Sequence, residues 1–221
     1  NHTDFIKRIW YQRSLTIPTD WENKKILLHF GAVDYVTEIY LDGRMVGFHF
    51  GGSTPFSIDL TQITKPGQTY NLVVAAFDNL QSGVQPCGKQ SLEESSYACF
   101  YTRVTGIWQT VWMEAVSPYG LKSAITSPNI DNKQLTITPQ FYQISDGQTL
   151  EVTLYDGQRK VAQQISQCTN GGDLVIPVKG MKLWSPENPH LYDITYRVKD
   201  AKGQVIDEVK SYVGMRKVHT A

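Results

Sequence analysis

The sequence predicts an all-β protein built from two consecutive sandwich domains. Three observations carry this reading. Short runs rich in β-branched and aromatic residues recur along the whole chain, each bounded by Gly, Pro, Asn or Asp; no amphipathic helical pattern of three turns occurs; and the strand pattern restarts after Gly120. With 221 residues there is room for two domains of about 100 to 120 residues each. Pro118 to Gly120 punctuates the middle, so the domains are expected to span 1–118 and 119–221.

Ile9 to Ile17 (IWYQRSLTI) reads as a strand that stops at Pro18 and leads into a polar turn from Asp20 to Lys25. Ile26, Leu28 and Phe30 alternate with Leu27 and His29 until Gly31 ends the run, and Tyr35 to Leu41 supplies a third strand. Asp42-Gly43 follows at once. A type I′ turn needs positive φ at both central residues, which this dipeptide accommodates, so Met45 to Phe50 should return antiparallel to Thr37 to Leu41. Gly51-Gly52 and Pro55 lead into Phe56, Ile58 and Leu60, Lys65-Pro66-Gly67 turns again, and Tyr70 to Phe77 is a near-continuous apolar strand. From Asp78 to about Phe100 no periodicity of either kind appears. Loops beyond about 12 to 15 residues in compact domains are usually functional or disordered.

Tyr101 to Trp112 (YTRVTGIWQTVW) closes this half. Ile107 begins a run to Val116 in which Val111 and Met113 alternate with Trp108 and Trp112, so a strand covered on both faces is expected. Gly106 at its entrance suits positive φ or close approach, and Arg103 sets a fork of donors beside that turn. After Gly120 come seven candidate strands, Leu121–Ile125, Gln134–Ile144, Leu150–Tyr155, Val161–Ser166, Leu174–Val178, Leu191–Val198 and Val205–Val213, the spacing of an immunoglobulin-like sandwich. Between two of them, the prolines of LWSPENPHLY (Leu183 to Tyr192) forbid a regular ladder. That segment should cross between sheets, with Trp184, Leu191 and Tyr192 buried.

Lys plus Arg equals Asp plus Glu, 21 each, so no charge excess favours nucleic acid or an anionic membrane surface. No apolar run approaches the roughly 20 residues of a membrane helix. Cys87, Cys99 and Cys168 have no zinc-type spacing; Cys87 and Cys99 share one loop, where a local bridge and two free thiols both stay open. No signal peptide is visible at Asn1, and the chain stops at Thr220 and Ala221 without a capping element, which reads as an excised piece.

These residues together resemble glycoside hydrolase family 2, the group of the β-galactosidases, β-glucuronidases and β-mannosidases. The resemblance rests on LHFGAVD (Leu28 to Asp34), Ile39 to Gly43 with Val46-Gly47, Gly51-Gly52 with Pro55-Phe56, Gly88-Lys89-Gln90, TGIWQTVW (Thr105 to Trp112), Trp184 to Tyr192, and Gly214-Met215-Arg216-Lys217. It covers nearly the whole chain. It implies a jelly-roll, galactose-binding-like sandwich followed by an immunoglobulin-like sandwich, with the catalytic (β/α)8 barrel of the parent and a β-linked oligosaccharide as partners. Family members use two glutamates about 5 Å apart for retaining hydrolysis, both within the barrel. By that resemblance the chain stops at GMRKV, where the barrel would begin, so it has no catalytic residue and needs no metal or cofactor. A β-galactosidase is the preferred parent, and the degradative role of many such enzymes implies an extracytoplasmic home.

Jelly-roll loops reach the rim of the barrel's site in some members, which makes Lys89, Gln90, Glu93, Tyr97, Tyr101 and Arg103 the candidates for docking on the barrel or, second, for touching substrate. Phe100 stands where some β-galactosidases carry an acidic residue that touches sugar and a sodium ion, so that role is not carried over. Glu93 and Glu94, neighbours in sequence, do not face each other across a sugar ring and read as solvated loop. Trp10, Tyr11, Trp108 and Trp112 read as core, with Trp21 the expected exposed exception; His29 and His49 read as satisfied sheet histidines. Two other classes are weighed against this: an autonomous carbohydrate-binding module, marked by a groove of exposed aromatics, and an adhesion scaffold of stacked sandwiches.

Overall fold

The computed structural model describes residues 4–218. Asn1, Thr220 and Ala221, on which the reading of the chain ends rested, lie outside the described residues. The chain separates into two compact units, Asn1–Ala115 and Val116–Ala221.

In the first unit, β1 (Arg8–Thr16), β2 (Lys25–Phe30), β3 (Val33–Asp34), β4 (Val36–Leu41), β5 (Arg44–Phe50), β6 (Phe56–Asp59), β7 (Thr69–Phe77), β8 (Gly106–Ile107) and β9 (Val111–Val116) form a jelly-roll sandwich. One sheet runs in the order β1-β7-β4-β5, the other β6-β2-β9, and β3 and β8 make a short two-stranded ladder. Alternation explains the layers. Ile26, Leu28 and Phe30 of β2 are buried inward and meet Leu15, Ile39, Leu72 and Val74 from the opposite sheet. Burial of each such side chain contributes roughly 1.5 to 3 kcal/mol, which is what holds the layers together. The Asp42-Gly43 hairpin forms as expected, with φ of 49° and 79° and Leu41 opposite Arg44.

Three expectations need correction here. The run from Ile107 to Val116 is not one strand: it pairs with β3 at Gly106 and Ile107, breaks, and resumes beside β2 from Val111. The break follows from the partner, because Gly31 and Ala32 separate β2 from β3; the Gly31 amide donates to the Thr110 carbonyl at 2.8 Å, and a Cβ on Gly31 would lie 2.7 Å from that of Gln109. Nor is the strand covered on both faces within this unit. Val111 and Met113 pack on the core, while Trp108 and Trp112 stay 46% and 44% exposed. Finally, Trp21 packs on the core from its single 3-10 turn, and Trp10, on the outer face of β1, is the most exposed of the chain's five tryptophans at 54%.

In the second unit, β10 (Leu121–Asn129), β11 (Gln134–Phe141), β12 (Thr149–Asp156), β13 (Arg159–Gln167), β14 (Leu174–Pro177), β15 (Tyr192–Lys199) and β16 (Val205–Val213) occupy the places of the seven expected strands. They form an immunoglobulin-like sandwich of sheets β10-β11-β14 and β13-β12-β15-β16. Leu135, Ile137, Leu150, Val152, Leu154, Ile176 and Ile194 alternate inward to make its core. The proline-bearing corner does connect the two sheets, since β14 and β15 belong to different ones. Tyr192 is buried and its hydroxyl accepts the Lys182 amide at 2.7 Å; the Trp184 amide donates to the Met215 carbonyl at 2.9 Å, under the Arg216 guanidinium. Leu191, expected inside, is 45% exposed, because it alternates with Tyr192 and only one of the two can face the core.

Candidate functional site

Residues 78–105 join β7 to β8 and carry all six candidate residues. A peptide of this length has no ladder to satisfy its backbone, so side chains must do so. Arg103 does most of it. It is 8% exposed, and its guanidinium donates to the Asp4 carbonyl at 3.1 and 3.3 Å, to the Glu93 carbonyl at 2.6 Å and to the Glu94 carbonyl at 3.3 Å, while stacking 4.0 Å over the Phe5 ring. Every direction of the planar fork is taken by protein carbonyls.

Gln90 is the second strut. It is buried, its amide nitrogen donates to Asp34 Oδ2 at 2.9 Å, and its Oε1 accepts the Val104 amide at 2.6 Å. Beside it, buried Asp78 accepts from Gln85 at 2.7 Å and from the Thr105 hydroxyl at 2.7 Å. Burial pushes the Asp34 carboxyl above its ordinary range, the Gln90 donor opposes this, and the charge of Asp78 adds to it. Backbone bonds from Ser91 to Tyr101 and from Tyr101 to Lys89, at 2.8 and 2.9 Å, then close the excursion on itself.

What remains outward is the tip. Lys89, Glu93, Tyr97 and Tyr101 are exposed, and Tyr97 and Phe100 stack at 5.0 Å across a tight turn in which Ala98 has φ of 46°. So the structure separates the six candidates into two buried struts, Gln90 and Arg103, and four surface groups. The cavity beside Arg103 holds only about 10 Å3, room for about one water, so no sugar ring enters there. Cys87 and Cys99 are both free thiols in this loop. No cluster of three His, Cys, Asp or Glu side chains able to hold a metal occurs among the described residues.

Of the two sheet histidines His49 is satisfied, its Nε2 bonding the Thr54 hydroxyl at 3.2 Å, whereas the expectation for His29 holds only on one side of its ring: its buried Nε2 has no hydrogen bond among the described residues and lies 3.0 Å from Glu114 Oε1. His29 bonds Ser57 at 2.6 Å and stacks on Trp112 at 4.9 Å, and His49 stacks on Phe56 at 4.1 Å.

The model for glycosyl hydrolases family 2, sugar binding domain, matches residues 3–114, and that for glycosyl hydrolases family 2 matches residues 121–216. The chain belongs to glycosyl hydrolase family 2. Among its family 2 relatives, a β-galactosidase of Thermoanaerobacter pseudethanolicus is 24% identical over 95% of this chain and 28% of its own length. A β-glucuronidase of Paenibacillus borealis is 23% identical over 97% of this chain and 37% of its own length. The chain therefore spans well under half the length of these relatives. The β-glucuronidase structure of Ruminococcus gnavus in complex with D-glucuronic acid shares the fold, with a TM-score of 0.78 at 24% identity, over 98% of this chain and 38% of that one.

Within this family 2 domain, sequence reading missed Asp34, Asp78 and Phe5 as partners of the candidate loop. Asp34 lay in plain view as a lone carboxylate at the end of an apolar strand run, the pattern of a buried acid that needs a donor. Nothing local marked Phe5 or Asp78.

Proposed function

We propose that these two domains are the non-catalytic front part of a retaining β-glycosidase, and that the 78–105 loop docks on the catalytic barrel and shapes the rim of its active site. The observation that carries this is the division of labour in the loop: two buried struts hold a surface on which the side chains of Lys89, Glu93, Tyr97 and Tyr101 are exposed. Loop tips that are rigidly supported yet unpartnered suit an interaction role. Docking ranks ahead of direct sugar contact because Gln90 and Arg103 are buried in the loop's own hydrogen bonds and the cavity beside Arg103 has room for about one water. A β-galactoside is the preferred substrate class of the parent, and the partners are the barrel and a β-linked oligosaccharide. The expected setting is carbohydrate degradation outside the cytoplasm.

The test uses the parent enzyme and this chain with chromogenic β-galactoside and β-glucuronide. The chain alone is expected to turn over neither. In the parent, Tyr97→Ala and Tyr101→Ala are expected to lower kcat/KM severalfold on the true substrate; wild-type kinetics in both variants would sink the rim reading. Turnover by the 221-residue chain alone would sink the non-catalytic one.

One observation favours the carbohydrate-module reading as second. On the outer face of β1, β4, β5 and β7, Trp10 lies 6.3 Å from both Tyr40 and Phe77, and Phe48 and Phe50 are 56% and 65% exposed. Calorimetric titration of the chain with β-linked galacto-oligosaccharide decides it: submillimolar affinity abolished by Trp10→Ala supports the module, and no heat removes it.

A further inference from the structure

The two sheets of the first unit do not match in number, and the mismatch falls at one place. Gly47 of β5 packs directly against Ile58 of β6, so the sheets β5-β4-β7-β1 and β6-β2-β9 start together at that edge. Among the described residues four strands then face three, and β1 is left without a strand opposite. Its first half is closed by β8: the Tyr11 hydroxyl accepts the Ile107 amide at 3.1 Å, and Ile9 packs against Gly106. From Tyr11 to Thr16 the sandwich instead opens into a cavity of about 640 Å3. Leu28, Leu72, Val74, Val111 and Met113 line it, all from the inner faces of the sheets.

We propose that this groove receives an extended segment of the parent chain from outside these 221 residues, which pairs with the free edge of β9 as the fourth strand of its sheet and lays its apolar side chains across β1. Four features support it. The groove is bordered by two strands, β1 and β9, that are terminal in their sheets, so their outer backbone groups are a template for a further strand. Six consecutive residues of β1 line it and β9 is six residues long, which matches a segment of about 20 Å at ~3.4 Å per residue. Away from β1 the lining is apolar, and of the polar residues of β1 there Gln12 and Thr16 are already bonded to Asn71 and Thr69, whereas a sugar site needs several free, convergent polar side chains. Arg13 lies on the inward-facing side of β1, between Tyr11 and Leu15, and has no ion-pair partner among the described residues, so the segment should carry an acidic group opposite it.

The occupant belongs to the parent because most of the parent lies elsewhere: the chain covers 28% and 37% of the two relatives' lengths. A tethered segment also docks at high effective concentration. A second copy of this chain fits less well, since pairing β9 edge to edge with another β9 leaves the cavity of each sandwich empty. The proposal rests on membership of a longer family 2 protein and not on the role proposed for the loop, so kinetics of the loop variants leave it untouched.

The experiment compares thiol alkylation of Arg13→Cys with that of Gln158→Cys, on an exposed turn of the second unit, in a background with Cys87 and Cys99 replaced by Ser. In the full-length parent the Arg13→Cys thiol is expected to react at least tenfold more slowly than in the 221-residue chain, with Gln158→Cys alike in both. Amide exchange on the unsubstituted proteins provides a second readout, with Val111–Val116 protected in the parent and open in the chain. Equal rates in parent and chain overturn the proposal. So does protection that rises with the concentration of the 221-residue chain alone, which assigns the groove to a second copy, and so does protection that appears only on adding oligosaccharide.

Discussion

The hydroxyl of Tyr11 lies 2.3 Å from where a Cβ on Gly106 would be, too close for any side chain there, and it accepts the amide hydrogen of Ile107 at 3.1 Å. One side chain of β1 thus needs a glycine 95 residues later in the chain, at φ of 85°, before the TGIWQTVW stretch can turn onto β3.

Gly106→Ala should accordingly be among the costliest single-methyl changes in the first unit. The new Cβ would also lie 2.8 Å from Ile9 Cγ2, and the backbone would be strained besides. A loss of about 3 kcal/mol is expected in urea unfolding of the first unit. Adding Tyr11→Phe should recover part of it by removing the hydroxyl; no recovery would mean that backbone strain alone sets the cost.

Arg103→Met should loosen the candidate loop. The carbonyls of Asp4, Glu93 and Glu94 lose their donors, at a cost of about 2 to 3 kcal/mol. Arg103→Lys should restore less than half, because a single ammonium cannot reach two sides of the loop at once. Hydrogen exchange over residues 78–105 is the measurement, with β12 and β15 as the unchanged reference.

Asp34 and Glu151 should bend the stability profile in opposite directions. Asp34 has a folded-state pKa raised chiefly by burial, so the folded protein holds its proton more readily than the unfolded chain. Between the ordinary carboxylate range and that raised value, this group adds stability as pH falls and removes it as pH rises. Asp34→Asn should be more stable near neutrality and lose stability more steeply on acidification. Glu151 is held below its ordinary range, first by the Lys199 ammonium at 2.7 Å and also by Arg197. Its contribution is present above the ordinary range and disappears as pH falls through its folded-state pKa, so Glu151→Gln should flatten the acid limb. Chemical denaturation at a series of pH values separates the two slopes.

Met215→Ala tests the corner of the second unit. Met215 is fully buried in that core, and its carbonyl accepts the Trp184 amide. A cost of about 2 to 5 kcal/mol is expected. Trp184 fluorescence should shift red before unfolding, and an unchanged midpoint would show that the corner is held without Met215.

Much of this fold is legible in the residues. The alternation of Ile26, Leu28 and Phe30, the Asp42-Gly43 hairpin and the seven runs after Gly120 are local patterns, and local sterics with burial suffice to specify them. The candidate loop was legible as a place without periodicity, but its interior was not. Arg103 meets Asp4 across 99 positions, and Gln90 meets Asp34 across 56, and no spacing rule reaches that far.

The sequence by itself therefore determined the all-β class, the two sandwiches and the family, because strand period, turn chemistry and motif are properties of neighbouring residues. Only the tertiary structure decided which polar groups are struts and which are surface, that Trp10 is exposed while Trp21 is not, and that the run into Trp112 breaks at Gly31's partner. It also decided that β1 faces an open groove. Exposure and register depend on what packs across the sandwich, and that is settled by residues distant in the chain.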